Sequence, residues 1–260
     1  MKNMGVLVQK ELREHSRNYK LYWIPIVFMI FGILEPVTNY YLPQIMESVG
    51  NLPAGSDFMW PQFQGADIFV SLMGQYQLIG ILIIILAFMG AISSERKNGT
   101  ATLLYVRPIS FSSYFFSKWL VVNAIVLGSL WIGFLAAWYY IRILFGPVAI
   151  GDVLTFIGTY SVWIVFAVTV VLSLSAWLST SAAAGLSILI LLVIQILETV
   201  IGTYWMVSPW KLATYATYPL QGQVFESGYW MSLILTVFLI VVLFSLGAYM
   251  AKRNAAKTTV

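Results

Sequence analysis

The 260-residue chain contains no cysteine and a single histidine, His15. The first absence excludes disulfides, thiolate metal sites and cysteine nucleophiles. The second removes most metal and general-base chemistry. Charge is scarce as well: Asp, Glu, Lys and Arg make up 9% of the residues, where soluble domains carry about 25%. No glycine begins a GxxxxGK phosphate loop followed by Ser or Thr, and none begins a GxGxxG turn, so ATP has no usual phosphate cradle in this chain.

What is abundant is apolar. At 60% hydrophobic residues, the chain holds more oil than a soluble core of this size can hide, so its solvent is a bilayer. Six runs exceed the ~20 residues a helix needs to cross ~30 Å of hydrocarbon: 21–42, 68–92, 119–145, 155–178, 183–207 and 229–250. Trp and Tyr gather at several run ends, including Tyr22, Trp23, Tyr40, Tyr41, Trp119, Tyr139, Trp205 and Trp230, as interface belts require. The expected fold is all-α: one membrane domain over 1–260, six transmembrane helices, both termini on one side.

Basic residues assign that side. Lys2, Lys10, Arg13, Arg17 and Lys20 precede the first run; Arg96, Lys97, Arg107 and Lys118 lie between the second and third; Lys252, Arg253 and Lys257 follow the sixth. Twelve of fourteen basic residues thus share one side, leaving Arg142 and Lys211 for the other. The positive-inside rule makes the twelve-residue side cytoplasmic. The loop after the first run carries Glu47, Asp57 and Asp67 without Lys or Arg, in agreement. Residues 1–20 pattern as an amphipathic interfacial helix, with Met4, Val8, Leu12 and Tyr19 near one face, Leu7 and His15 beside them, and Lys10, Arg13, Glu14 and Arg17 towards the other; the apolar stripe is expected in lipid and the basic face at the headgroups. It serves either as an orientation anchor or as a docking surface.

The stretch "ISSERKNGTATLLYVRPIS" interrupts the oil. Asn98-Gly99 is suited to close the second helix, Thr100 to cap a short helix ended by Arg107-Pro108, and Ser110 to cap the next. The expected product is a knob showing Leu103, Leu104 and Tyr105, rimmed by Glu95, Arg96, Lys97 and Arg107. An ordinary helix connection needs only ~2–8 residues, whereas 93–118 is far longer.

With its "KELRE" arm, six runs, and "SERKNGTATLLYVRPIS" followed by "YFFSKWL", the chain resembles the ABC-2 type permeases of ATP-binding cassette exporters. The resemblance implies that Glu95, Arg96, Lys97, Gly99, Thr100, Leu103, Leu104, Arg107 and Pro108 form a coupling helix seated in a cytoplasmic ATPase subunit. It implies that ATP and Mg are bound by that partner, with no cofactor on this chain, and that a second permease pairs with it as homodimer or heterodimer. The family often has an acidic residue after the Gly-Thr pair; here Ala101 and Thr102 follow. No nucleic-acid partner is expected, and the chain itself is not expected to be an enzyme. The expected function is ATP-driven export of an amphipathic cargo such as a drug, antimicrobial peptide or lipid.

Glu35 and Glu198 are the acids deepest inside predicted spans, each ~21–23 Å from the cytoplasmic end at 1.5 Å per residue. With Gln195 they are either part of a substrate path or structural, pairing with Arg142 or Lys211. The alternative function is a stand-alone secondary transporter using Glu35 or Glu198 as the ion-coupled group. An intramembrane hydrolase lacks its base. Residues 208–228, bracketed by Pro209 and Pro219, are either a re-entrant segment or an interfacial loop outside the membrane. The small-residue turn at 179–187, with its Ser181/Gly185 spacing, is suited to close helix packing.

Overall fold

The computed structural model describes residues 4–48, 63–99 and 110–255. Among them there is no β-strand, and six helices are long and apolar enough to cross a membrane. Span one is Lys20–Ser48, span two Gly65–Lys97, span three Phe111–Leu144, span four Ile150–Trp177, span five Thr180–Tyr204 and span six Ser227–Ala255. The chain is therefore an all-helical, multi-pass integral membrane protein. A separate N-terminal helix, Met4–Arg17, precedes span one. The two are divided at Tyr19, whose φ of 58° is a left-handed conformation that stops one helix before the next begins.

Span four is the centre of the bundle: 78% of its most apolar window is buried inside the chain, against 28% in span one and 22% in spans five and six. Its inner face is aromatic. Phe156 packs edge-on to Phe134 of span three (centroids 4.9 Å apart), and Tyr160 lies beside Trp163 at 5.5 Å. Span one crosses span three through two glycines. A Cβ on Gly32 would stand 2.1 Å from the Gly133 carbonyl oxygen, and one on Gly133 would stand 2.1 Å from the Tyr76 hydroxyl. Only glycine permits that approach. Tyr76 then donates to the Phe28 carbonyl at 2.7 Å, tying span two across the same crossing.

Two spans are not regular. In span two, α-helix 65–75 passes through a π-helical turn, Tyr76–Gly80, and resumes at Ile81–Phe88 before a turn and a last short helix, Ser93–Lys97. Span five holds a similar π turn at Leu189–Val193. Such turns interrupt an α-helix by one residue and re-aim the side chains after it.

The N-terminal helix packs on the bundle through the face that carries Leu7, Glu11 and His15. Leu7, Glu11 and His15, at i, i+4 and i+8, turn inward, while Val6, Leu12 and Tyr19 are exposed on the protein surface. Of the stripe expected to face lipid, Leu12 and Tyr19 are exposed on the protein surface while Val8 packs partly buried against the core, and the base of span three offers a lysine that the inward Glu11 satisfies. Residues 211–221 form a short helix, Lys211–Ala216, and a single 3₁₀ turn, Pro219–Gln221, with Leu212, Ala213 and Ala216 buried.

Candidate functional site

The segment leading out of span two ends as its residues dictate. Gly99 adopts a φ of 70°, and Ser110 caps span three by accepting from the Ser113 N–H at 3.2 Å. Thr100, Leu103, Leu104, Arg107 and Pro108 lie outside the described residues. The two stubs flanking them are held by buried polar contacts.

Glu95 is the centre of these contacts. It was expected on an exposed rim, but only 7% of its surface is exposed. The five-residue helix Ser93–Lys97 turns it inward, where Lys118 of span three lies 3.0 Å and Lys10 of the N-terminal helix 2.6 Å from its Oε1. Tyr114 donates its hydroxyl to Oε2 at 2.5 Å. Lys118, 1% exposed, also reaches Glu11 at 3.0 Å, and Glu11 is itself 1% exposed. Lys10 closes the network on Glu11 at 2.9 Å and Glu14 at 3.4 Å.

Two ammonium groups therefore hold three carboxylates whose oxygens lie within 4.8 Å of one another. Burial opposes the charge on Lys10, but Glu11 and Glu95 outweigh it and hold its pKa above the ordinary lysine value. Removing one member of such a network leaves the others buried and unpaired, which costs more than the network itself contributes.

The next residue faces the other way. Arg96 donates to the carbonyls of Ala176 at 2.9 Å and Leu178 at 2.6 Å, capping the C-terminal end of span four. Ser175 Oγ accepts from the Ile92 and Ser93 N–H groups at 3.1 and 3.2 Å. Adjacent residues thus fasten the start of one loop to three elements: the N-terminal helix, span three and span four. Lys97 is exposed.

His15 sits beside this cluster, 4% exposed, with its ring edge-on to Phe88 at 5.5 Å. Neither ring nitrogen has a hydrogen-bond partner among the described residues. Burial, followed by the charges of Lys20, Lys118 and Lys10 against that of Glu11, lowers its pKa to about 4. It is neutral at physiological pH.

The two deep acids differ from one another. Glu198 meets Lys211 at 3.5 Å and accepts from Trp205 Nε1 at 2.7 Å and Ser208 Oγ at 3.3 Å, clamping the segment after span five back onto that span. Glu35 has no basic partner among the described residues; it accepts instead from Asn39 at 3.1 Å, Ser71 and Gln75. Arg142 does not reach it, its guanidinium lying 5.7 Å over the Trp138 ring. The Gln195 Oε1 is buried with no hydrogen-bond partner among the described residues.

A sequence model of the ABC-2 family transporter proteins matches residues 6–222. The chain belongs to that family. It is also similar to an uncharacterized transmembrane protein, YxlG, of Bacillus subtilis (strain 168), at 36% identity over 189 residues. That alignment covers 72% of this chain and 73% of the relative. Membership makes the chain a transporter's membrane component and gives the cluster around Glu95 a setting.

Sequence reading named Glu95, Lys118 and Lys10 but missed Glu11 as their partner. The available signal was the i, i+4, i+8 spacing of Leu7, Glu11 and His15, which places an acid and a histidine on one helical face with a leucine.

Proposed function

We propose that this ABC-2 family protein is the membrane-spanning half of an ATP-binding cassette exporter, in which a separate subunit binds and hydrolyses ATP with Mg. That subunit grips residues 100–109 and moves the spans around an outward path for an amphipathic cargo. Two permease chains, alike or related, enclose the path. Spans one, five and six, least buried against their own chain, are the faces left for the second one.

One observation carries this reading: Glu95 and Arg96, at the root of residues 100–109, are fastened to the N-terminal helix, span three and span four. Force applied to that loop reaches three elements through hydrogen-bonded charges. A plain connector has no use for ion pairs buried at its base, since taking charges out of water costs several kcal/mol per ion before pairing offsets it. Co-expression with the cognate ATPase subunit tests this. The expected result is a detergent-stable complex that hydrolyses ATP, lost on Leu104→Asp and uncoupled by joint charge reversal at Arg96 and Lys97.

Glu35 favours a second reading. A buried carboxylate held by three neutral donors suits an ion-coupled group of a stand-alone transporter. Ion-driven flux in vesicles without nucleotide, abolished by Glu35→Gln, would select it over the first.

A further inference from the structure

A cavity of about 480 Å³ opens where spans two, four, five and six end, on the side of the bundle that carries both termini. Its lining includes Arg96, Lys97, Trp177, Ser179, Thr180 and Asn254, and no carboxylate among the described residues. The one acid nearby in sequence, Glu95, is turned away and committed to Lys10, Lys118 and Tyr114.

Helix ends at this cavity are unequally satisfied. The negative end of span four meets side-chain donors: Arg96 takes the Ala176 and Leu178 carbonyls, and Asn254 Nδ2 takes Ala176 at 2.9 Å and Trp177 at 3.2 Å. The positive end of span five has no such partner. Ser179 stands at its N-cap, and among the described residues no side chain caps it; the Thr180 hydroxyl is joined to Ser93 Oγ at 2.7 Å, and the first N–H groups of the helix have no intrahelical partner. Lys97 meets no carboxylate among the described residues, and Arg96 keeps three of its five N–H donors beyond the two that bind carbonyls. Lys97, the remaining donors of Arg96 and a helix N-terminus therefore border one cavity, and no carboxylate among the described residues answers them. Trp177, 53% exposed beside the cavity, is the amphipathic ring expected at a membrane–water boundary.

We infer that this cavity binds a phosphate-bearing anion at the membrane surface, with Lys97, Arg96 and the start of span five as its donors. An anionic phospholipid headgroup and a free phosphate share that chemistry. A basic pocket between spans at the bilayer surface, flanked by an exposed tryptophan, is built for the former. A bound headgroup would brace the turn between spans four and five next to the root of residues 100–109. The inference does not depend on the chain's being an exporter.

The test uses the full chain in nanodiscs of phosphatidylcholine, with and without phosphatidylglycerol, and counts lipids retained by native mass spectrometry. Selective retention of phosphatidylglycerol is expected. Lys97→Glu should weaken it about tenfold or more, while Arg13→Gln, on the exposed side of the N-terminal helix, should leave it unchanged. Stabilisation by inorganic phosphate in phosphatidylcholine discs, without lipid selectivity, would keep the site and assign it to a soluble anion. Failure of both probes on the wild-type chain would overturn the inference. So would retention unchanged by Lys97→Glu alongside lost ATPase assembly, which would give these cations to an acidic partner surface.

Discussion

Glu11 and Lys118 are 107 positions apart in the chain and 3.0 Å apart in the fold, each 1% exposed. The N-terminal helix is therefore an integral part of the bundle, fixed to span three by a buried ion pair. Lys118→Met leaves Glu11 and Glu95 with Lys10 alone and should cost about 3–5 kcal/mol, the usual penalty for breaking a buried pair. Thermal unfolding in detergent measures it. The reversed pair, Glu11→Lys with Lys118→Glu, should recover part of the loss; recovery of none would mean that the neighbouring Glu95 dominates.

His15 sets a pH dependence. Its folded pKa of about 4 lies below its ordinary 6.5, so the unfolded chain takes up a proton first as pH falls. Its contribution is fully present above pH 6.5 and is lost progressively down to about pH 4. Unfolding temperature should decline over that window, and His15→Phe, which packs against Phe88 without a titrating nitrogen, should flatten the decline.

Gly32→Ala should force spans one and three apart, since the new methyl meets backbone rather than a flexible side chain. A cost at or above the ~1–3 kcal/mol typical of overpacking is expected. Gly74→Ala, where nothing lies within 4 Å of the added Cβ, should instead stabilise helix 65–75 by about 0.5–1 kcal/mol. Paired melting curves separate the two.

Much of this fold was legible beforehand, and the limits have physical causes. Six spans could be read because a bilayer demands long apolar runs, and the stop at Gly99 and cap at Ser110 because turn and cap chemistry is local. The inward turn of Glu95 was not, because its partners lie 85 residues earlier and 23 later, brought in by helix packing that local periodicity does not encode. The π turns at Tyr76 and Leu189 escaped for a related reason: an apolar run reads alike in either helical form. The Glu198–Lys211 pairing was available as one of two choices, and the short chain between them made it reachable.

Glu198→Leu should release the segment after span five, since Trp205 and Ser208 lose their shared acceptor and Lys211 its counter-charge. Faster amide exchange across 203–212 is expected, with a stability loss of about 1–3 kcal/mol. Unchanged exchange would place the hold on this segment elsewhere, in Tyr215 and its bond to the Met206 carbonyl.

The absence of cysteine makes the central claim directly measurable. A single thiol introduced as Leu104→Cys reports where residues 100–109 lie and what covers them. In membrane vesicles it should react with a maleimide only from the cytoplasmic side, and the ATPase subunit should protect it. Labelling from outside intact cells, or a rate indifferent to that subunit, would contradict the coupling role.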